Sequence, residues 1–393
     1  EMKECKGIFP TSHLLVCLLN CCALMKDAEK GCELHDEIAK LGLESDMFVG
    51  NALVDMYVKC GLITRAHDLF DKLQSRDVVT WTTIIAGYSE LGYCEEALKW
   101  FELMQIEGVF PNDVTYICCL KACGSIGDPG NGQVLHDDIV QKGLLESNLV
   151  VANTLVDMYA KCGFLVDAQT IFDSLLVRNV VSWNTLMNAY IKCGRNDEAL
   201  DCFEQMQGEG VSQNAATFIC CLKACRSIEK GQEIHGKISK KGMIERDLMV
   251  GNAVVDMYVN CGSLVTCQCV FDQLPDRDVV SWTVLIAGYV QHGYGERAVQ
   301  AFHQIHLEGL FPNQVTCVYI LNACGSITSI HKGKEMHDEV MSRGLLGKDI
   351  ELNNALVNMY AKFGMLTKAE ELHNEICIKS VVSWNVLIAG YAQ

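Results

Sequence analysis

Residues 51–57 read NALVDMY, and near-copies of this heptad return as NTLVDMY at 153–159, NAVVDMY at 252–258 and NALVNMY at 354–360. The offsets between successive copies are 102, 99 and 102 residues. A second marker, VVTW at 78–81, returns as VVSW at 180–183, 279–282 and 381–384 with the same three offsets. Two unrelated markers that stay in step indicate an internal repeat, and a repeat of this kind decides the architecture of the whole chain.

The large period divides into smaller units, which begin at similar apolar segments. One cycle contains units of 31, 35 and 36 residues, and the 99-residue offset follows because the third unit of the next cycle has only 33. The predicted units are 12–46, 47–77, 78–112, 113–148, 149–179, 180–214, 215–247, 248–278, 279–313, 314–349 and 350–380, with a truncated unit at 381–393 and a remnant of a preceding unit at 1–11. Because the chain begins with Glu1 and stops within a unit, we expect it to be a fragment of a longer protein.

Each unit has the pattern of two helices. In 180–214, Trp183 and Met187 belong to an apolar stripe at helical spacing, Gly194 marks a break, and Phe203 belongs to a second stripe. Neither helix can bury its stripe alone, whereas stacked neighbours bury both stripes continuously. We therefore predict an all-α fold, a right-handed α-solenoid superhelix of helix-turn-helix repeats.

The composition excludes several classes of protein. Half of the residues are hydrophobic and only five are Pro, which excludes a disordered chain and a collagen. A formal charge of −17 argues against binding nucleic acid through overall charge, so any positive groups must act locally. The 22 Cys form no C-x-x-C pair, which favours reduced thiols used as small core residues. No apolar run approaches the roughly eighteen residues of a membrane span, so we expect no membrane partner.

The units resemble known repeats. VVSWNTLMNAY at 180–190, NALVDMYVKCGLITRAHDLFDKL at 51–73 and TYICCLKACGSI at 115–126 are similar to the standard, short and long motifs of plant pentatricopeptide-repeat proteins. The alternation of three lengths resembles the mixed-length subclass associated with editing of organelle transcripts, and the resemblance covers nearly the whole chain from Ser12 onward. It implies sequence-specific binding of single-stranded RNA in a mitochondrion or chloroplast, with one base read by each helical repeat.

In that family the fifth and last residues of a repeat read the base. Carried over to this sequence, the resemblance implies the pairs Asn51 with Asp77, Thr82 with Asn112, Asn153 with Asn179, Asn184 with Asn214, Asn252 with Asp278, Thr283 with Asn313 and Asn354 with Ser380, and leaves Asn385 without its partner. These side chains have the donors and acceptors that match the edge of an unstacked base. The family pattern predicts the target U-A-x-Y-Y-x-U-A-x-C, where x stands opposite the long repeats. Their fifth residues, Ile117, Ile219 and Val318, cannot form a hydrogen bond with a base.

Two further sets of residues complete the predicted interface. Family behaviour implies that the second residues of the readable repeats wedge between bases: Phe48, Val79, Val150, Val181, Met249, Val280 and Val382. Glu351 breaks this pattern. The thirteenth residues of four repeats are basic and are predicted to contact phosphates: Lys59, Lys161, Lys192 and Lys362. Glu90, Asn260 and Gln291 occupy that place elsewhere, so only a few contacts should set the salt dependence.

Plainer explanations of the same residues stay open. An Asn near a helix start fits a cap or a turn, and the last residue of each unit should cap the following helix in any case. His35-Asp36-Glu37 and His337-Asp338-Glu339 fit the H-x-E of zinc deaminases, but no P-C-x-x-C follows either copy, so we expect packing histidines and no metal site. Core packing is also favoured over base stacking for the fourth-position tryptophans: Trp81, Trp183, Trp282 and Trp384.

The primary hypothesis is a recognition tract that places an RNA site for C-to-U editing by a separate catalytic region. We expect no catalytic residue and no cofactor in this chain, with other RNA-processing factors as partners. Stabilisation, splicing or cleavage of transcripts are alternative outcomes of the same binding. The competing class is a protein–protein scaffold of the tetratricopeptide type, which the acidic composition suits.

Overall fold

The computed structural model describes residues 10–73, 75–346, 349–375, 379 and 381–391. Within these ranges the chain contains 24 α-helices and no β-strand. It divides into two compact units, Glu1–Val211 and Ser212–Gln393, each of which is a stack of helical hairpins. The α-solenoid predicted from the sequence is therefore confirmed. Among the helices so described, none combines the length and the apolar character needed to cross a bilayer.

The first unit contains six hairpins. Their first helices are Ser12–Met25, Met47–Lys59, Val78–Glu90, Asp113–Ile126, Leu149–Lys161 and Val180–Lys192. Their second helices are Ala28–Lys40, Ile63–Lys72, Cys94–Ile106, Pro129–Gln141, Leu165–Ser174 and Asn196–Gly208. A one-turn helix, Leu144–Ser147, follows the fourth hairpin and has no counterpart in the sequence prediction.

The second unit contains five hairpins and a further first helix. The first helices are Ala215–Ala224, Leu248–Asn260, Val279–Gln291, Gln314–Ser326, Ile350–Lys362 and Val381–Tyr391. The second helices are Ile228–Lys240, Leu264–Asp272, Gly295–Leu307, Ile330–Ser342 and Leu366–Glu375. In both units the first helix of every predicted repeat begins at the first residue of that repeat, and it packs against the first helix of the next repeat in its unit.

The helix starts follow from capping. Asn112 precedes the helix Asp113–Ile126, and its side chain accepts the backbone N–H of Thr115 while the Thr115 hydroxyl lies against the backbone N–H of Asn112. Asp77 and Asn179 form the same reciprocal arrangement at their own helices. Such a box satisfies backbone donors that a helix N-terminus otherwise leaves unpaired. The predicted capping role of the last residue of these repeats is thus confirmed.

All repeat types contribute to the core, and the contact of a standard repeat with the short repeat before it illustrates its packing. Trp183 is fully buried and meets the ring of Phe172 edge-on, with 4.8 Å between the ring centroids. Ala199, on the second helix of the same repeat, has no exposed surface, so its small side chain lets the helices approach closely. At Gly194 the backbone adopts φ 73°, which glycine tolerates best, and the chain turns there into the second helix.

The 99-residue offset has a local cause in the second unit. The helix Ala215–Ala224 has 10 residues, whereas the equivalent helices Asp113–Ile126 and Gln314–Ser326 have 14 and 13. Cys225 is already extended, and the next helix begins at Ile228. The shorter repeat therefore loses the end of its first helix and keeps its second helix intact.

Candidate nucleic-acid interface

The fifth residues of the short and standard repeats lie in the second turn of their first helices. Five of them are buried, with 7–9 % of their surface exposed: Thr82, Asn153, Asn184, Asn252 and Thr283. Asn51 and Asn354 are half-buried, and Asn385 is exposed. Buried polar side chains need hydrogen-bond partners, so their contacts decide what they offer to a ligand.

The second residues of the same repeats are exposed although they are apolar. All seven predicted wedge residues belong to this group, from Val79 at 49 % exposed to Met249 at 71 %. Glu351, which takes their place in one repeat, is also exposed. Apolar side chains held in solvent at one repeated position form a surface that a flat apolar group can cover.

One cleft in the first unit brings the predicted residues of a short repeat together. It has a volume of about 290 Å³ and lies between the first helices Leu149–Lys161 and Val180–Lys192. Its lining includes Val150, Asn153 and Asn179, which are the second, fifth and last residues of one repeat, together with Val181 of the next. The second, fifth and last residues of one repeat and the second residue of the next thus share one concave surface.

A second cleft repeats this arrangement for a standard repeat. It has a volume of about 370 Å³ and is lined by Val79, Thr82 and Asn112, with Val114 of the following long repeat. Lys59 of the preceding short repeat also lines it. Two different repeat types therefore build clefts from the same positions.

In the standard repeat the fifth and last residues are joined by a hydroxyl group. The Oγ1 atoms of Thr82 and Thr115 are 2.7 Å apart, and the Thr115 hydroxyl donates to Asn112 Oδ1 at 2.9 Å. The Thr115 backbone N–H also donates to Asn112 Oδ1 at 2.9 Å, which fixes the orientation of the Asn112 amide. Thr115 is the third residue of the following repeat and is fully buried.

The short repeat at 47–77 has an equivalent network with different chemistry. The Thr80 hydroxyl lies 2.7 Å from Asn51 Oδ1 and 2.9 Å from Asp77 Oδ1, and Asn51 Nδ2 donates to Asp77 Oδ1 at 3.4 Å. Burial raises the pKa of Asp77, but hydrogen bonds from Thr80 and Asn51 outweigh it and hold that pKa below its usual value. Asp77 is therefore an ionised acceptor at neutral pH.

Three short repeats leave a carbonyl oxygen of the fifth residue without a hydrogen bond. These buried atoms are Oδ1 of Asn153, Asn252 and Asn354. An unpaired buried acceptor is costly, roughly 1–3 kcal/mol, and its recurrence at one position is a shared feature of these three repeats. In the cleft described above, the Asn153 side chain forms part of the lining.

The predicted phosphate contacts fall into two groups. Lys59 pairs with Asp55 at 2.8 Å and Lys161 pairs with Asp157 at 2.7 Å, so part of their charge is neutralised within the helix. Lys192 and Lys362 are exposed and form no ion pair in the described part of the chain. Lys121 lines the 290 Å³ cleft but escaped the sequence analysis. The signal for it is its place as ninth residue of a long repeat, which Lys223 repeats.

For two of the predicted base-reading pairs, the described residues do not show the two side chains together. Ser380 lies outside the described residues, so its pairing with Asn354 stays a prediction. Asn184 belongs to the first unit and Asn214 to the second. Ile117, Ile219 and Val318 are half-buried apolar residues at the fifth position of the long repeats.

The recurrent histidines have partners within the fold. The Nδ1 atoms of His35, His136, His235 and His337 lie 2.6–3.0 Å from the hydroxyls of Tyr57, Tyr159, Tyr258 and Tyr360. Over the described ranges no three His, Cys, Asp or Glu side chains converge as metal ligands.

The prediction of core packing is confirmed for three of the four tryptophans. Trp81, Trp183 and Trp282 are buried, in agreement with core packing. Trp384 is 49 % exposed. Its ring lies 4.5 Å from that of His373, on the preceding repeat.

Family models match the chain in alternating segments. The model described as "PPR repeat family" matches 76–125, 178–227 and 277–326, and the model described as "PPR repeat" matches 51–78, 150–180 and 354–381. Together the two models match more than half of the chain. The predicted standard repeats lie in the first set, and most of the short repeats lie in the second.

Three pentatricopeptide repeat-containing proteins of Arabidopsis thaliana are similar over 98 % of the chain. One is 32 % identical, one named chloroplastic is 32 % identical, and one named mitochondrial is 34 % identical. The chain spans 47 %, 62 % and 37 % of their lengths, about half of the curated relatives it matches. The crystal structure of the pentatricopeptide repeat protein PPR10 from maize has a TM-score of 0.51 at 17 % identity, covering 100 % of this chain and 68 % of that one, which supports the fold. The chain belongs to the pentatricopeptide-repeat family.

Proposed function

We propose that the chain binds single-stranded RNA in the clefts between successive first helices, with one base in each readable cleft. The observation that carries this proposal is the common lining of the two clefts: an exposed apolar second residue on each side and a polar fifth and last residue between them. A nucleobase has flat apolar faces and a polar edge, so this arrangement suits it. A peptide gives no reason for Asn, Thr and Asp to recur at two particular positions.

The electrostatics favour base recognition over strong backbone attraction. The chain carries a net charge of −17, and two of the four predicted phosphate lysines are paired with aspartates of their own helices. Each phosphate neutralised by a lysine changes the slope of log affinity against log salt by about −0.7 on a single strand. With two to four contacts we expect a shallow slope and a large share of the affinity from the bases.

The resemblance of the repeat order supports a proposal for the process that the binding serves. Mixed-length repeats resemble the tracts that place a target site for C-to-U editing, and we propose this role with a separate catalytic partner. Relatives named chloroplastic and mitochondrial support an organelle as the compartment. Stabilisation, splicing or cleavage of a transcript would use the same recognition.

A binding assay with matched oligonucleotides tests the proposal. The purified chain is titrated against labelled U-A-x-Y-Y-x-U-A-x-C RNA and against the same RNA with U and A exchanged at the first, second, seventh and eighth positions. We expect tighter binding of the first RNA, measured by fluorescence anisotropy. Equal affinity for both RNAs, or no binding to either, would remove RNA reading and leave the protein scaffold as the better hypothesis.

A single substitution tests the register. Thr82→Asn makes the fifth residue of the repeat at 78–112 equal to that of the repeat at 180–214, and the last residue is already Asn in both. The preference at the second base should move from A toward a pyrimidine, while the eighth base, assigned to Thr283, keeps its preference. An unchanged second base would show that the assigned register is wrong.

A further inference from the structure

The hydroxyl that joins the fifth and last residues comes from the third residue of the following repeat. The third residue is a fully buried Thr in four repeats, at Thr80, Thr115, Thr217 and Thr316. In the two networks described above it is Thr80 or Thr115, which also closes the capping box of its own helix. A cap alone needs contact only with the last residue. Each of these hydroxyls also meets the fifth residue of the preceding repeat, at 2.7 Å.

Counting hydrogens in the standard repeat fixes the direction of the bonds. The Thr115 hydroxyl has one hydrogen, and Asn112 Oδ1 can only accept, so that hydrogen goes to Asn112. Thr82 must then donate its own hydrogen to Thr115 across the 2.7 Å contact. What remains for a ligand is a lone pair on Thr82 Oγ1 and the N–H₂ group of Asn112, which has no hydrogen bond among the described residues. The pair offers an acceptor beside a donor.

The same count in the short repeat gives the opposite order. Asn51 turns its carbonyl oxygen toward Thr80 and its amide nitrogen toward Asp77. The one hydrogen of the Thr80 hydroxyl goes to Asn51 Oδ1, the nearer of its two acceptors at 2.7 Å. Asp77 Oδ1 accepts the Thr80 backbone N–H and Asn51 Nδ2–H, so Oδ2 remains. The second hydrogen of Asn51 Nδ2 and the free oxygen of Asp77 offer a donor beside an acceptor.

We propose that this hydroxyl is a positioning group that sets the polarity with which each reading pair meets a base. Thr115 makes the pair of Thr82 and Asn112 an acceptor–donor site, which fits bases with an amino group beside a ring acceptor, adenine and cytosine. Thr80 makes the pair of Asn51 and Asp77 a donor–acceptor site, which fits bases with a carbonyl beside a ring N–H, uracil and guanine. The inference rests on the proposed RNA function and deepens it.

Two bases with the same ring system report the polarity. Adenine and guanine are both purines and present donor and acceptor in opposite order at the 6-substituent and N1, although guanine also carries a 2-amino group. Their ratio of affinities at the second base, compared between the parent protein and a variant, reports the site of Thr82. Thr115→Val removes the hydroxyl with little change of volume and leaves the backbone cap in place. Thr82 can then donate as well as accept, and the preference for A over G should fall about threefold to tenfold, the worth of one hydrogen bond.

The assay is RNA binding by the whole chain with A or G at the second base and, separately, at the eighth. We expect Thr115→Val to lose preference at the second base only and Thr115→Ser to retain it. For a variant that does not fold, judged by circular dichroism, Thr80→Val gives the same test on the U-to-C ratio at the first base.

The outcomes separate the two proposals. Two results overturn the polarity inference and leave base reading intact. In the first, the preference for A over G at the second base survives Thr115→Val. In the second, Thr115→Val lowers this preference equally at the second and eighth bases. A wild-type chain that binds RNA without any base preference, or does not bind it, overturns base reading and the inference with it.

Discussion

A methyl group added at Gly288 tests how closely the first helices must approach. Gly288 lies in the helix Val279–Gln291 and faces the preceding first helix, where a Cβ atom would be 2.5 Å from Cγ2 and 3.0 Å from Cγ1 of Val259. Valine is held in essentially one rotamer in a helix, so its branches cannot turn aside. The two helices must therefore separate.

The size of the effect follows from two opposing terms. Overpacking of this kind costs about 1–3 kcal/mol, whereas Ala is better than Gly in a helix by about 1 kcal/mol. Gly236, in the helix Ile228–Lys240, supplies the control because a Cβ there meets nothing within 4 Å. Gly236→Ala should stabilise the protein by up to about 1 kcal/mol, and Gly288→Ala should be less stable than that variant by about 1–3 kcal/mol.

Urea unfolding followed by circular dichroism measures both variants against the parent protein. The difference between the two alanine variants is the informative quantity, because it cancels the helix preference of Ala. Gly87→Ala repeats the test in the first unit, where the Cβ would be 2.1 Å from Cγ1 of Val58. If Gly288→Ala stabilises the protein as much as Gly236→Ala does, the close packing of first helices described above is refuted.

Three further predictions use other contacts. Burial lowers the pKa of His235, so the unfolded chain binds a proton at a higher pH than the folded chain does. The free energy of unfolding should therefore fall as the pH drops below about 6.5. A free energy of unfolding that does not change between pH 7.5 and 5.5 would contradict this. Arg178→Ala removes hydrogen bonds to two backbone carbonyls and the cation over the Phe172 ring, and it should cost about 1–2 kcal/mol in urea unfolding, with Arg178→Lys restoring little of it. Lys192→Gln should reduce the salt slope of RNA binding by about 0.7, more than Lys161→Gln, because Lys161 is already paired; equal reductions would show that the ion pair is irrelevant.

The repeat architecture was predictable because its determinants are local. The signals for a helix are a capping residue, an apolar stripe at helical spacing and a glycine at the helix end, and they act within a few residues of each other. The start of the helix Val180–Lys192 and the turn at Gly194 can therefore be predicted from the sequence. The early end of the helix Ala215–Ala224 and the one-turn helix Leu144–Ser147 were not predicted. Short segments of this kind carry no periodicity of their own.

The positions of the candidate site come from the sequence, whereas its contacts come only from the structure. Counting along each repeat identified Thr82 and Asn112, but the hydroxyl that joins them belongs to Thr115, which reaches Thr82 from 33 residues away. The cleft position of Lys121 was likewise invisible, since it depends on packing between helices. The ion pair of Lys161 with Asp157 lies within one helix at i, i+4 spacing, so the sequence already contained its signal.

By itself the amino-acid order determined how many hairpins form, where each begins and which residue types recur at each place. Only the stacking of one hairpin on the next decided which of those residues share a cleft, which atoms are used up within the protein and which remain for a ligand. The physical reason is the distance over which each interaction acts. Capping and helical periodicity act over one or two turns of a helix. Donors and acceptors are matched between helices, and side chains such as Val259 against Gly288 set the separation of those helices.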